Sequence, residues 1–149
     1  MQIYENINLK EYNTFHFDAT AKYFVSIEKP ADIQTLMQSD IYQENESHIL
    51  GGGSNILLTQ SHYDALIIHM EIMGKEVISE TNDSVTLRVG AGEIWHDFVM
   101  RSIEQGYRGI ENLALIPGCV GASPMQNIGA YGIEVQDVIA HVHGIDTET

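Results

Sequence analysis

Only one cysteine, Cys119, stands in the 149 residues, so the chain can build neither an internal disulfide nor a paired-thiol zinc site, and a reducing compartment fits best. Three prolines and 13 glycines exclude collagen-like and proline-rich architectures. Cations are scarce as well. Seven Lys+Arg against 21 Asp+Glu give a formal charge of -14, a field that repels nucleic acids and anionic lipid surfaces. No nucleic-acid partner is expected. Nor is there a long apolar run: residues 112–133 are uncharged, but Pro117, Gly118, Gly121, Pro124, Gly129 and Gly132 interrupt them, whereas a spanning helix needs about 20 mostly apolar residues. No membrane partner is expected either. The opening MQIYENINLKEYN has neither the basic leader nor the apolar stretch of a secretory signal, and the expected location is the cytoplasm.

What is present suits a folded domain. Hydrophobic residues make up 44% and charged residues 19% of the chain, enough to bury a core of ordinary size. Tyr23, Val25 and Ile27 alternate in a stretch, residues 22–27, that reads as a strand. Pro30 opens a helix with Ile33, Leu36 and Met37 on one face. His48-Ile49-Leu50 reads as a strand running into Gly51-Gly52-Gly53-Ser54-Asn55, after which Ile56-Leu57-Leu58 returns to the core. Residues 65–69 form another strand, and residues 75–80 pair with residues 84–89 around Asn82-Asp83. Trp95, Phe98, Val99 and Ser102 share a helical face, with Glu93 at the start and Gly106 as the stop. Ser123-Pro124-Met125-Gln126 predicts a capped helix start, and residues 138–143 predict a last strand. Irregular alternation with hairpins favours α+β over a doubly wound parallel sheet.

Two loops carry candidate chemistry. Three consecutive glycines let backbone N–H groups converge on an anion, with Ser54 and Asn55 adding hydrogen-bonding side chains beside them. Such a nest needs no Lys or Arg, which fits so acidic a chain. The loop lacks the Walker lysine and the G-x-G-x-x-G spacing, and an ordinary glycine turn is the alternative reading. The second loop, Ile116-Pro117-Gly118-Cys119-Val120-Gly121-Ala122-Ser123, leads into Gly129-Ala130-Tyr131-Gly132. Its glycines permit close backbone approach, Ser123 would cap a helix facing a phosphate, and Tyr131 offers an aromatic plane.

The combination NTFHFDATA, GGGSN, VGAGEIWHDFV and GIENLALIPGCVGASPMQNIGAYGIE closely resembles the FAD-binding half of the UDP-N-acetylenolpyruvoylglucosamine reductase (MurB) family, from Asn13 onward. The resemblance implies an FAD-binding fold of the vanillyl-alcohol-oxidase (PCMH) type, α+β in class, with two small subdomains, about residues 13–70 and 71–149, gripping the cofactor. By the same resemblance Gly51, Gly52, Gly53, Ser54 and Asn55 surround the FAD pyrophosphate. Ile116, Pro117, Gly118, Gly121, Ser123, Gly129, Ala130, Tyr131 and Gly132 line the rest of the flavin. The implied reaction is NADPH-dependent reduction of a UDP-sugar enolpyruvyl ether in peptidoglycan synthesis. His16 and Gly52 depart from residues common in the family. The family's substrate-binding domain and its catalytic arginine, glutamate and serine are expected beyond Thr149, so the chain is expected to be a fragment that binds FAD without turning over.

The competing class is a non-catalytic module holding a nucleotide or a partner through the same loops. His141 and His143 share a strand face but lack a third ligand, so no metal site is assigned. His96 reads as a solvent-edge residue and Cys119 as a small core residue.

Overall fold

The computed structural model describes residues 1–147. They divide into two compact units, Met1–Ile72 with the residues from Ile145 on, and Met73–Gly144.

The first unit is built on four strands, β1 (Ile3–Asn8), β2 (Thr20–Ile27), β3 (Ser47–Leu50) and β4 (His62–Met70), in the order β1-β2-β4-β3. β1 runs antiparallel to β2, while β2 and β3 both run parallel to β4. Parallel neighbours on both sides make β4 a central strand, and Ala65, Leu66, Ile67 and Ile68 are all buried. Two helices, α1 (Pro30–Met37) and α2 (Asp40–Glu44), connect β2 to β3. They cover one sheet face, where Leu36, Ile33 and Ile41 pack on Val25, Ile27, Leu66 and Ile68. Each of the buried side chains among them, Leu36, Val25, Ile27, Leu66 and Ile68, is worth about 1.5–3 kcal/mol. The other face is covered by Leu9, Tyr12, Ile56 and Leu58 over Ala21, Phe24, Leu50 and Ile67.

Tyr23, Val25 and Ile27 share a face as the alternation predicts, but Ala21 joins Phe24 on the opposite one. The β2–β4 register shifts between Ala21 and Tyr23, and such a bulge inverts the parity of every residue before it. Residues 56–58 return toward the core without forming a strand, Ile56 and Leu58 half-buried and Leu57 exposed.

The second unit begins with the hairpin β5 (Lys75–Glu80) and β6 (Val85–Val89), closed by Thr81, whose backbone N–H donates to the Ser84 carbonyl at 2.8 Å. Helix α3 (Trp95–Glu104) buries Trp95, Phe98, Val99 and Ser102, the four residues its spacing singled out. They pack with Leu113, Ile128 and Val135, and with Leu87 and Val89 from the hairpin. Trp95 Nε1 donates to the Leu113 carbonyl at 2.7 Å, which ties α3 to the loop beyond it. The two-residue strands β7 (Gly129–Ala130) and β8 (Ile133–Glu134) pair antiparallel.

Two expected elements are absent. Ser123 does not start a helix; it ends a short 3-10 turn (Val120–Ala122), and its hydroxyl donates back to the Val120 carbonyl at 2.8 Å. The following amides close successive turns, Met125 on Ala122 and Asn127 on Pro124, before Asn127 at φ +46° redirects the chain. Residues 138–143 form no strand, because no described segment offers them a ladder, and His141 and His143 are both exposed.

Candidate functional site

In the first unit the glycine loop follows β3 directly. Gly53 is buried at φ +65°, and a β-carbon placed there would lie 2.0 Å from the Tyr12 carbonyl oxygen and 2.9 Å from the Asn13 α-carbon. Only glycine fits both the dihedral and the space. The contact is backbone on backbone: Thr14 N–H donates to the Gly53 carbonyl at 3.3 Å. Behind it Asn13, 3% exposed, spends its amide on the Leu9 and Phe17 carbonyls at 2.8 and 3.1 Å and accepts from Phe17 N–H at 3.0 Å. Sequence reasoning missed this brace. Its only signal was a short polar Asn-Thr pair ahead of a strand.

With Gly53 pinned from below, Gly52 is exposed and Gly51 and Ser54 are half-buried. Among the described residues the backbone N–H groups of Gly52, Gly53 and Ser54 have no intramolecular acceptor. Three consecutive open donors in a rigid turn are what an anion nest requires. The residues present therefore fit a phosphate-bearing group held by backbone dipoles.

The second-unit loop is zipped onto the residues before α3. Trp95 N–H donates to the Gly118 carbonyl at 3.0 Å, Val120 N–H to the Glu93 carbonyl at 2.8 Å, and Gly121 N–H to the Ala91 carbonyl at 2.9 Å. A β-carbon at Gly121 would meet the Ala91 β-carbon at 2.6 Å, so this glycine serves the close approach of two backbones. Ile116 and Ala130 both pack on the cluster around Trp95 and Phe98. Tyr131 and Gly132 both take positive φ, at +54° and +81°, as the tight turn between β7 and β8 demands. That turn leaves the Tyr131 ring 88% exposed. A shallow depression beside it gathers Gly129, Ala130 and Gly132 with Asn127, Ile133, Glu134 and Asp137. Its two carboxylates make it unsuited to a phosphate. Ser123 is 3% exposed with its hydroxyl proton committed to Val120, so a helix-cap role is replaced by a turn-closing one.

One buried ion pair stands behind the second loop. Glu93, 7% exposed, accepts from Gly74 N–H at 2.8 Å and pairs with the Lys75 ammonium. Burial pushes its carboxyl up, but the Lys75 ammonium, the Gly74 amide and the charges of Lys75 and Arg101 outweigh it and hold Glu93 below the ordinary carboxylate range. His96 Nδ1 accepts from Leu115 N–H at 3.2 Å at the solvent edge, as its half-buried position allows. Among the described residues no group of three or more His, Cys, Asp or Glu could hold a metal ion, and no helix is long and apolar enough to cross a membrane.

Comparison with known proteins decides the family. The FAD binding domain model matches residues 21–148. The chain belongs to that FAD-binding family. Over all 149 residues it is 45% identical to the UDP-N-acetylenolpyruvoylglucosamine reductase of Flavobacterium johnsoniae and 43% identical to that of Pseudomonas putida, covering 43% and 44% of those proteins. The chain thus spans less than half the length of the curated relatives it matches. The crystal structure of the same reductase (MurB) from Thermus caldophilus superposes with a TM-score of 0.70 at 24% identity, over 92% of this chain and 46% of that one. The fold is accordingly the α+β FAD-binding fold that the sequence resemblance implies, and FAD is the family's cofactor.

Proposed function

We propose that this chain is the FAD-binding portion of a UDP-N-acetylenolpyruvoylglucosamine reductase, acting in the cytoplasm in cell-wall peptidoglycan synthesis. The carrying observation is 45% identity to such a reductase over the whole chain. In this reading the loop Gly51, Gly52, Gly53, Ser54 and Asn55 holds the FAD pyrophosphate through the open amides of Gly52, Gly53 and Ser54. Ile116, Pro117, Gly118, Gly121, Ser123, Gly129, Ala130, Tyr131 and Gly132 line the rest of the cofactor, and the units Met1–Ile72 and Met73–Gly144 are the two subdomains of one FAD-binding domain. Bound FAD would supply the two-electron relay between NADPH and the enolpyruvyl group of the UDP-sugar. The chain's own work is to bind and orient the cofactor. The acid that protonates the product carbon and the cation that steadies developing charge are assigned to the part of the reductase that this chain does not span.

The test is a titration of the 149-residue chain with FAD, followed by flavin fluorescence and thermal unfolding. Saturable binding with stabilisation approaching about 2.7 kcal/mol at a hundredfold excess over Kd is expected, with no reduction of the enolpyruvyl substrate by NADPH. A folded chain that ignores FAD overturns the reading in favour of a non-redox binding module.

A further inference from the structure

Leu115 combines two properties that a folded chain avoids together. Its φ is +64°, in the left-handed region that a β-carbon makes costly, and its side chain is 79% exposed, so burial returns nothing. Strain of that kind persists only where neighbouring contacts over-determine it, and it gathers at functional sites. Here the contacts come from the first turn of α3. Trp95 Nε1 donates to the Leu113 carbonyl at 2.7 Å, Trp95 N–H donates to the Gly118 carbonyl at 3.0 Å, and between them the Leu115 N–H donates to His96 Nδ1 at 3.2 Å. Two adjacent residues thus grip the stretch 113–118 at both ends and in the middle. The outer contacts use the indole and main chain of Trp95, which do not titrate. The middle one falls on the strained residue itself and depends on one lone pair of an imidazole.

That lone pair fixes the state of the ring. Nδ1 accepts only in the neutral tautomer whose proton sits on Nε2; the other tautomer and the imidazolium both turn Nδ1 into a donor facing a donor. Residues 112–118 carry no titratable side chain. The charged side chains of α3, of the 3-10 turn Glu111–Leu113 packed on it and of the connection between them are Asp97, Arg101, Glu104, Arg108 and Glu111. Glu111 accepts from Gly109 N–H at 2.6 Å, and among the described residues none of the five forms an ion pair with His96. No paired carboxylate stabilises the ring as a cation. We propose that His96, as the neutral Nε2-protonated tautomer, is the positioning residue of the second loop: by holding Leu115 left-handed it sets the course of Ile116, Pro117 and Gly118. The inference rests on the FAD reading above for what that loop serves, and adds a residue outside the loop that holds it ready.

His96→Asn and His96→Phe separate positioning from packing. Asparagine offers Oδ1 close to the place of Nδ1 and accepts at every pH, whereas phenylalanine keeps a ring and accepts nothing. By nuclear magnetic resonance at pH 7.5, hydrogen-exchange protection of the Leu115 amide is expected to fall about fivefold in His96→Phe, the factor one net hydrogen bond carries, and to be kept in His96→Asn. Nitrogen-15 spectra should show His96 as the Nε2-protonated tautomer. Between pH 7.5 and pH 5, where imidazoles titrate, Leu115 protection corrected for intrinsic exchange should fall in wild type and stay level in His96→Asn. Calorimetric titration with FAD at pH 7.5 should show affinity weakened about threefold or more in His96→Phe, as the binding-competent fraction drops, and near wild type in His96→Asn. Melting temperatures of the three proteins read folding separately. Equal Leu115 protection in wild type and His96→Phe overturns the inference, as does an Nδ1-protonated tautomer or the same pH slope in wild type and His96→Asn. Lost protection with unchanged FAD affinity refutes the positioning role and leaves the FAD reading intact. A wild-type chain that binds no FAD refutes that reading instead, and the Leu115 amide then decides on His96 by itself.

Discussion

Gly53→Ala tests the logic of the first-unit loop more sharply than any side-chain change. An alanine there must adopt φ +65°, costing about 1–2 kcal/mol. Its β-carbon would also sit 2.0 Å from the Tyr12 carbonyl oxygen, and a carbon–oxygen contact relaxes only near about 3.2 Å, beyond hydrogen-bonding range but within van der Waals touch. The obstacle is main chain, so no rotamer change relieves it. The loop and the 12–13 backbone must part by more than an ångström, which breaks the Thr14–Gly53 hydrogen bond, worth about 1 kcal/mol. The expected loss is about 2–4 kcal/mol. Gly106→Ala is the control, because Gly106 has φ +82° but nothing within 4 Å of a built β-carbon, so it carries the dihedral cost alone. Urea unfolding followed by far-ultraviolet circular dichroism reads both. With an m-value of about 1–2 kcal/mol/M, Gly53→Ala should lower the midpoint by about 1–4 M, and Gly106→Ala by about half as much at the same m-value. If the two variants lose the same stability, close backbone approach is not what selects glycine at position 53.

Two further outcomes concern buried charge. Glu93→Ala should cost about 1–3 kcal/mol, since it strands the partly buried Lys75 ammonium and the Gly74 amide. Because the folded-state carboxyl of Glu93 is held below its ordinary value of 4.5, its contribution is present above that pH and is lost as pH falls through the lower folded value. Stability measured from pH 6 to pH 3 should therefore fall more steeply in wild type than in Glu93→Gln. His69 has its Nδ1 buried without a hydrogen-bond partner among the described residues, against the Tyr12 and Phe24 rings, with Glu71 at 3.7 Å. Burial outweighs Glu71 and holds the imidazole below its ordinary value of 6.5, so the neutral ring supports the fold above that pH and the support is lost as pH falls through the folded value. His69→Phe should flatten the stability difference between pH 7.5 and pH 5.5, and an unchanged slope would refute the assignment.

The legible parts of the fold were those in which local spacing and tertiary burial agree. Trp95, Phe98, Val99 and Ser102 announce α3 because a single packed face decides a short helix, and the polar turn around Asn82 and Asp83 announces its hairpin. The failures share a different cause. Ser123 has the local chemistry of a helix cap, but its hydroxyl and the amides after it are claimed by turns whose partners, Val120 and Ala122, lie just upstream. Residues 138–143 are rich in β-branched residues, yet a strand exists only where a neighbour supplies a ladder. Ala21 changes face through a bulge that no alternation rule contains. Within the site, the glycine loop was visible as composition; the brace beneath it was visible only as part of the NTFHFDATA motif, because the Asn13 side chain works through main-chain groups of Leu9 and Phe17 that residue types do not reveal.

A chain with a formal charge of -14 is a poor host for a pyrophosphate if charge is counted as a sum, and the arrangement of its polar groups resolves the difficulty. Residues 51–59 contain no charged side chain, so the glycine loop does not oppose an anion locally, whereas Glu134 and Asp137 stand beside Gly129, Ala130 and Gly132 in the second unit. Repulsion from distant surface carboxylates is screened over about 8–10 Å at ordinary ionic strength, while a backbone amide acts at hydrogen-bond distance. The open N–H groups of Gly52, Gly53 and Ser54 have no dependence on side-chain ionisation, and the brace at Tyr12, Asn13 and Thr14 fixes their direction before any ligand arrives. In the proposed reading, attraction for the pyrophosphate is built from geometry rather than from lysine or arginine. That explains why the glycine at position 53, and not a cation, is the residue the loop cannot exchange.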